Sequence, residues 1–170
     1  ELSNEHDGII ELPSGAVVAC GVQALLERYS SHMAPEWACP RYGCGGDKLQ
    51  QEFLEREPPL LFLKLSRGFE RRGPDGRLLR AGRKKVCVEF PEVLRCLRSG
   101  PYALRAILRH RGGGVQSGHY MATCWAGSAG GASRYMELDD QRVSAGLPWA
   151  TVCTRRVQED AYVLVYEREC

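Results

Sequence analysis

The sequence predicts an α+β fold, a mostly antiparallel sheet with few helices. Three observations predict it. Val22, Leu25, Leu26 and Tyr29 fall at i, i+3, i+4 and i+7, the spacing of a helix with one buried face. Tyr102, Leu104, Ala106 and Leu108 alternate, so they are expected to share one face of a strand. Two short apolar runs, Leu60–Leu65 behind Pro58-Pro59 and Ala161–Tyr166 near the end, have the length and composition of buried strands.

Bulk properties fit that class and exclude others. The 170 residues are 44% hydrophobic and 26% charged, with a net charge of +2. That is globular composition, enough for one domain or a large part of one. The basic clusters Arg71-Arg72, Arg83-Lys84-Lys85 and Arg155-Arg156 are short and build no continuous face for nucleic acid. No apolar run reaches the ~18 residues of a membrane span. The start, Glu1-Leu2-Ser3-Asn4-Glu5, is polar and is no secretory signal. It also lacks an initiator Met, as expected of a chain cut from something longer. Eight cysteines are scattered, several inside apolar strand patterns. They read as thiols of a reducing, intracellular compartment, cytoplasm or nucleus, with Cys87 and Cys124 as small core residues.

The elements follow in order. Ile9–Leu12 is an apolar patch ended by the turn signal Pro13-Ser14-Gly15. A helix is expected over Ala19–Tyr29, closed by Ser30-Ser31-His32. Cys39-Pro-Arg-Tyr-Gly-Cys44 is a tight turn between two cysteines, and Lys48–Glu57 is charged. After the Leu60–Leu65 strand, Glu70–Lys84 carries Pro74-Asp75-Gly76 and reads as an exposed turn between strands. Val86–Phe90 is a strand stopped by Pro91. The Tyr102–His110 strand leads to a glycine loop, Arg111–Gly118. His119–Trp125 and Arg134–Asp140 read as two strands, joined by the small-residue connector Ala126–Ser133. No internal repeat is visible.

The chemistry lies in that last hairpin. A turn centred between Ala129 and Gly130 sets position 119 opposite position 140. Directly opposed residues share a face about 4.5–5.5 Å apart, and a slip of one residue brings Asp139 to His119 instead. An imidazole beside a carboxylate is the base-and-orienter half of a nucleophilic triad. Gly118 and the loop before it leave His119 approachable by an extended peptide. On these features alone, a structural hydrogen bond at a strand end is the plainer explanation.

Six segments in order add a resemblance. Ser117-Gly118-His119-Tyr120 is similar to the Gly-Gly-His-Tyr motif of ubiquitin-specific proteases, which are papain-like cysteine peptidases. Pro59–Phe69 resembles the family's strand ending in Leu-Lys-Arg-Phe. Lys85–Pro91 resembles its Lys, strand, Phe-Pro segment, and Tyr102–His110 the strand before the histidine loop. Tyr135-Met-Glu-Leu-Asp139-Asp140-Gln-Arg-Val143-Ser144 resembles the segment of the orienting carboxylate. Ala161-Tyr162-Val-Leu-Val-Tyr166 resembles the terminal strand. The resemblance spans roughly residues 9–168.

The resemblance implies a papain-like palm without its N-terminal lobe. Residues 1–57 would be a helix and a remnant of the fingers, and 58–170 the palm sheet. It implies His119 as the catalytic histidine, Asp139 as its orienting carboxylate and Asp140 as a second or substitute carboxylate. Gly118 and Tyr120 would flank the channel for ubiquitin's tail. The implied activity is cleavage after the C-terminal glycine of ubiquitin, with ubiquitin or a ubiquitinated protein as partner, no nucleic acid or membrane, and no cofactor for catalysis. The alternative is a catalytically inactive ubiquitin-binding or scaffold module of the same fold.

Four departures stand out. The family's Asn-x-x-x-x-Cys box, which supplies the nucleophile, does not occur in these 170 residues, so the chain alone is expected to be inactive. The nearest local cysteine, Cys20, reads as an ordinary helix-start residue. Cys39 and Cys44 resemble the second half of the family's four-cysteine zinc site, with four residues between them instead of two. A structural zinc is therefore expected only in a complete chain. Ser66-Arg67-Gly68-Phe69 replaces a compact Lys-Arg-Phe, and Leu138 replaces an aromatic.

Overall fold

The computed structural model describes residues 9–13, 19–29, 32–38, 47–50, 56–72, 74–83, 86–95, 97–112 and 117–169. The chain begins with β1 (Ile9–Pro13), β2 (Ala19–Gly21) and α1 (Val22–Tyr29), followed by β3 (His32–Ala38) and β4 (Asp47–Gln50). Next come β5 (Leu60–Ser66), β6 (Gly68–Arg72), β7 (Leu78–Arg83), β8 (Cys87–Glu89) and β9 (Val93–Leu94). The rest is β10 (Tyr102–Arg111), β11 (His119–Ala129), β12 (Ala132–Asp139), β13 (Arg142–Pro148), α2 (Trp149–Val152), α3 (Arg155–Asp160) and β14 (Ala161–Arg168).

Among the described residues, eight strands form one sheet in the order β1-β5-β14-β10-β11-β12-β13, with β9 also against β10. The β1–β5 pair is parallel, and the other pairs are antiparallel. The α+β expectation holds. Small two-stranded sheets join β2 to β8, β3 to β4 and β6 to β7.

The core covers one face of the large sheet. Leu61, Leu63 and Leu65 of β5 are fully buried, while Phe62 and Lys64 between them are half-buried. This is period-two burial on an interior strand. Tyr102, Leu104 and Ile107 of β10 and Leu164 and Tyr166 of β14 join them, capped by Val22 and Leu25 of α1, Val152 of α2 and Val157 of α3. Each such side chain contributes about 1.5–3 kcal/mol by leaving water. Thr154 caps α3 by accepting from Val157 N at 3.4 Å.

A buried cation closes this core. Arg67 follows β5 directly and is 2% exposed. Its Nε donates to Ala161 O at 2.8 Å, its second terminal nitrogen to Gln158 O at 2.7 Å, and its first to Val86 O. One guanidinium thus ties the end of β5 to the start of β8 and to the α3–β14 junction. The rebuilt Ser66-Arg67-Gly68-Phe69 segment keeps an arginine able to do this.

Several local expectations need correction. Alternation along β10 breaks at a bulge between Leu104 and Ala106. Tyr102 and Leu104 therefore share the buried face with Ile107, while Ala106 and Leu108 are only half-buried. An extra residue in one strand reverses which side the following side chains take. Glu70–Lys84 is more than a turn, because β6 and β7 pair across Pro74-Asp75-Gly76. The connector after Trp125 is mostly strand: Ala129 faces Ala132 across Gly130-Gly131. Both glycines have positive φ, 60° and 76°, as a tight hairpin turn with the sheet's own twist requires. The helix begins at Val22 rather than Ala19, and Cys20 lies in β2, across from Val88. The elements β13, α2 and α3 were not expected from the sequence.

Candidate active site

The site stands at the open end of the β11–β12 hairpin. Ala122 faces Leu138 and Trp125 faces Tyr135, with a bulge between Trp125 and Ser128. That bulge moves the register one residue from simple hairpin symmetry. Extended along the strands, it sets Asp139 across from Met121 and diagonal to His119, on the same face. His119 Nε2 and Asp139 Oδ1 are hydrogen-bonded, whereas Asp140 Oδ2 lies 4.0 Å from the same nitrogen. Of the two carboxylates open at sequence level, Asp139 is the one in contact. Asp140 begins the turn into β13 at φ 53°, a left-handed conformation that Asp tolerates better than most residues. Its carboxylate is thereby carried back toward the same ring.

The face beneath is packed and charged. Arg109, 3% exposed, is ion-paired with Glu137, one face-position behind Asp139 on β12. His110 faces Tyr120 across β10 and β11, and their rings stack at 4.6 Å between centroids. Tyr162 of β14 completes this aromatic group.

Gly118 has a stricter part than flanking a channel. A Cβ there would lie 2.0 Å from His110 Nε2 and 2.8 Å from Arg111 O. The backbone thus passes directly over the His110 ring, and that close approach fixes the turn delivering His119. Tyr120, 51% exposed, follows His119 in β11 and alternates to the other face of the strand, against His110 and Tyr162. Gly118 and Tyr120 thus flank His119 along the chain, with the Tyr120 ring on the His110 side of the sheet. Sequence reasoning missed His110, although its place directly before the glycine loop was a usable signal.

Electrostatics favour the charged pair. The hydrogen bond to the Asp139 carboxylate, with the nearby Asp140, raises the His119 pKa above its ordinary value. The same hydrogen bond lowers that of Asp139. With Nε2 committed to Asp139, Nδ1 is without a partner among the described residues, so it is the atom able to exchange a proton with a nucleophile. His119, Asp139, Asp140, Gln141 and Arg142 line an open depression where such a group and an extended peptide can meet.

Cys87 and Cys153 are unlike an activated nucleophile. Burial pushes the Cys87 and Cys153 thiols up, opposite to the depressed value a reactive cysteine needs. Gln158 bridges them, accepting from Cys87 Sγ at 3.1 Å and donating to Cys153 Sγ at 3.4 Å. Cys39 and Cys44, expected as zinc ligands, lie outside the described residues, as does the side chain of Cys20.

A His–Asp pair on an antiparallel sheet, beside an open depression, has the geometry of the base-and-orienter half of a nucleophilic site. The sequence matches the ubiquitin carboxyl-terminal hydrolase family over residues 12–166, and the chain belongs to that family of deubiquitinating cysteine proteases. Among solved structures, the fold is similar to that in a yeast SAGA DUB module with an Sgf73 mutant, at TM-score 0.72 and 21% identity over 95% of this chain and 35% of that one. It is similar at TM-score 0.71 and 22% identity, over 95% and 35% of the two chains, to a SAGA DUB module of Ubp8, Sgf11, Sus1 and Sgf73 bound to monoubiquitin. It is similar at TM-score 0.70 and 20% identity, over 95% and 36%, to a Ubp8 module bound to ubiquitin aldehyde. The chain thus spans about a third of the length of the chains it resembles. No curated protein sequence matches it. These likenesses establish the papain-like deubiquitinase fold. No helix among the described residues is long and apolar enough to cross a membrane.

Proposed function

We propose that the complete protein is a thiol protease that cleaves the bond after the C-terminal glycine of ubiquitin, and that this chain supplies its general base. The observation that carries the reading is the His119 Nε2–Asp139 pair, with Nδ1 left for the thiol. Asp139 holds the ring in one orientation and stabilises the imidazolium formed when Nδ1 takes the thiol proton. The thiolate attacks the carbonyl carbon, and Nδ1 returns the proton to the departing lysine amine. A water then releases ubiquitin by the reverse exchange. Asp140 is a second carboxylate that can take up the same ring. Gly118 and Tyr120 line the approach of ubiquitin's tail.

The nucleophile and its oxyanion donor come from a segment outside these residues. Asn4 is the sole asparagine in the sequence, and burial pushes the Cys87 and Cys153 thiols up, away from a reactive thiolate. That favours a second reading for the chain by itself, a ubiquitin-binding module without turnover. Residues 1–57 would be the fingers remnant, with Cys39 and Cys44 holding half of a structural zinc site in the complete chain. Residues 58–170 would be the palm, in an intracellular protein of the cytoplasm or nucleus.

Hydrolysis of ubiquitin carrying a fluorogenic C-terminal amide tests this. The expected result is no turnover by the chain alone. The full-length protein turns over, and His119→Ala lowers its kcat/KM by about 10³-fold or more. Turnover by the chain alone, abolished in His119→Ala, would place the nucleophile within these residues and make Cys20 its first candidate. A full-length protein equally active with and without His119 would sink the reading.

A further inference from the structure

Three side chains meet at the hairpin's open end, and proton transfer uses one ring and one carboxylate at a time. His119, Asp139 and Asp140 each present one donor atom, and the three atoms lie within 4.8 Å of one another. We infer that these three residues form a binding site for a divalent transition-metal ion of the zinc type, distinct from any cysteine-held zinc.

The donor set decides the class of ion. One imidazole nitrogen with two carboxylate oxygens suits zinc, cobalt, nickel or copper, whereas magnesium and calcium prefer all-oxygen shells. Zinc bonds of about 2.0–2.2 Å set neighbouring ligand atoms about 3.3 Å apart. His119 Nε2 and Asp140 Oδ2, at 4.0 Å, need only close by about 0.7 Å to fit. Asp139 must release its direct hydrogen bond and swing outward. Both carboxylates have room, since their side chains are 31% and 79% exposed. The depression in front leaves the remaining coordination positions to water. Arg142 lines the same depression, and its exposed side chain must turn aside as the ion enters.

The backbone supplies the convergence. Asp139 and Asp140 are consecutive, and in a regular strand they would point to opposite faces. The left-handed turn at Asp140 cancels that alternation and returns both carboxylates to one ring. The ion would bind where the ring meets its orienting carboxylate. With metal on Nε2, the ring proton stays on Nδ1, which then cannot accept the thiol proton. Zinc would thus inhibit hydrolysis reversibly, a consequence that rests on the proposed function; the binding site itself does not.

Isothermal titration of Zn²⁺ into the chain bearing Cys39→Ser and Cys44→Ser tests the site without the turn thiols. Saturable uptake of one ion is expected, with no heat from Mg²⁺. Asp140→Asn should weaken uptake by about tenfold or more, and His119→Ala should abolish it. Asp140 is exposed, so its amide variant leaves the fold intact, which circular dichroism would verify. Co²⁺ in place of zinc should show weak d–d absorption without a thiolate charge-transfer band. No uptake, uptake unchanged in both variants, or a thiolate band would overturn the site. Ubiquitin-amide hydrolysis by the full-length protein in excess chelator reports separately on the protease reading, so either idea can fail while the other stands.

Discussion

Arg67 and His119 are both cationic or potentially cationic side chains held by directional hydrogen bonds, and they are held in opposite ways. Arg67 is sealed at 2% exposure, with hydrogen bonds that end on the carbonyls of Val86, Gln158 and Ala161. His119 stands at the rim with its side chain 43% exposed, one nitrogen bound and the other open. The first arrangement locks three segments in place. The second keeps unused capacity for a proton, a thiol or an ion. A buried polar group must be fully satisfied because an unmet one costs the whole desolvation penalty. A reactive group must keep something unsatisfied.

Four substitutions sharpen that contrast, from the largest effect to the smallest. Arg67→Met should leave three inward carbonyls unpaired and cost about 4 kcal/mol, read as a fall in the urea midpoint. Gly118→Ala must push aside the His110 ring and the Arg111 carbonyl. It should cost about 2 kcal/mol and weaken ubiquitin binding by the chain, measured by calorimetry. Glu137→Gln leaves the buried Arg109 with a neutral partner. Because Glu137 is itself 34% exposed, the loss should be near 1 kcal/mol by the same denaturation.

Asp139→Asn should move the urea midpoint least of the four and shift a titration. The pKa of His119 is raised and that of Asp139 lowered, each chiefly by their shared hydrogen bond. The histidine's contribution is full below its unfolded pKa and is lost as pH rises through its raised folded value. The carboxylate's contribution is present above its unfolded pKa and is lost as pH falls through its lowered folded value. The pair therefore supports the fold between those two lower and upper limits. In Asp139→Asn, the His119 midpoint followed by ring-nitrogen NMR should drop toward the ordinary histidine value. A midpoint that stays raised would mean Asp139 does not orient the ring.

Much of this was legible in the sequence, and the misses have common causes. The strands β5, β10, β11, β12 and β14 announce themselves because buried strands need β-branched, aromatic and leucine-rich runs. His119 and its carboxylates were legible because a hairpin brings its two bases together whatever its exact register. The register itself was misjudged by one residue. Gly130-Gly131 is a two-residue hairpin signal and would have fixed the tip, but the bulge beyond Trp125 leaves no compositional mark. The edge strand β13 was invisible because Arg142–Gly146 is exposed throughout and carries no inward face to write a pattern. The Arg67 anchor was hidden because nothing in a sequence says that an arginine after a strand will turn inward.

The bulge at Arg105 works on the sheet as a frameshift works on a reading frame. Before it, even-numbered Tyr102 and Leu104 take the core face; after it, odd-numbered Ile107 does. Deleting Arg105 would restore one unbroken count along the strand. Leu104 and Ile107 would then stand two positions apart and both keep the core face, whereas flattening the strand with Arg105 retained would bury one and turn the other out.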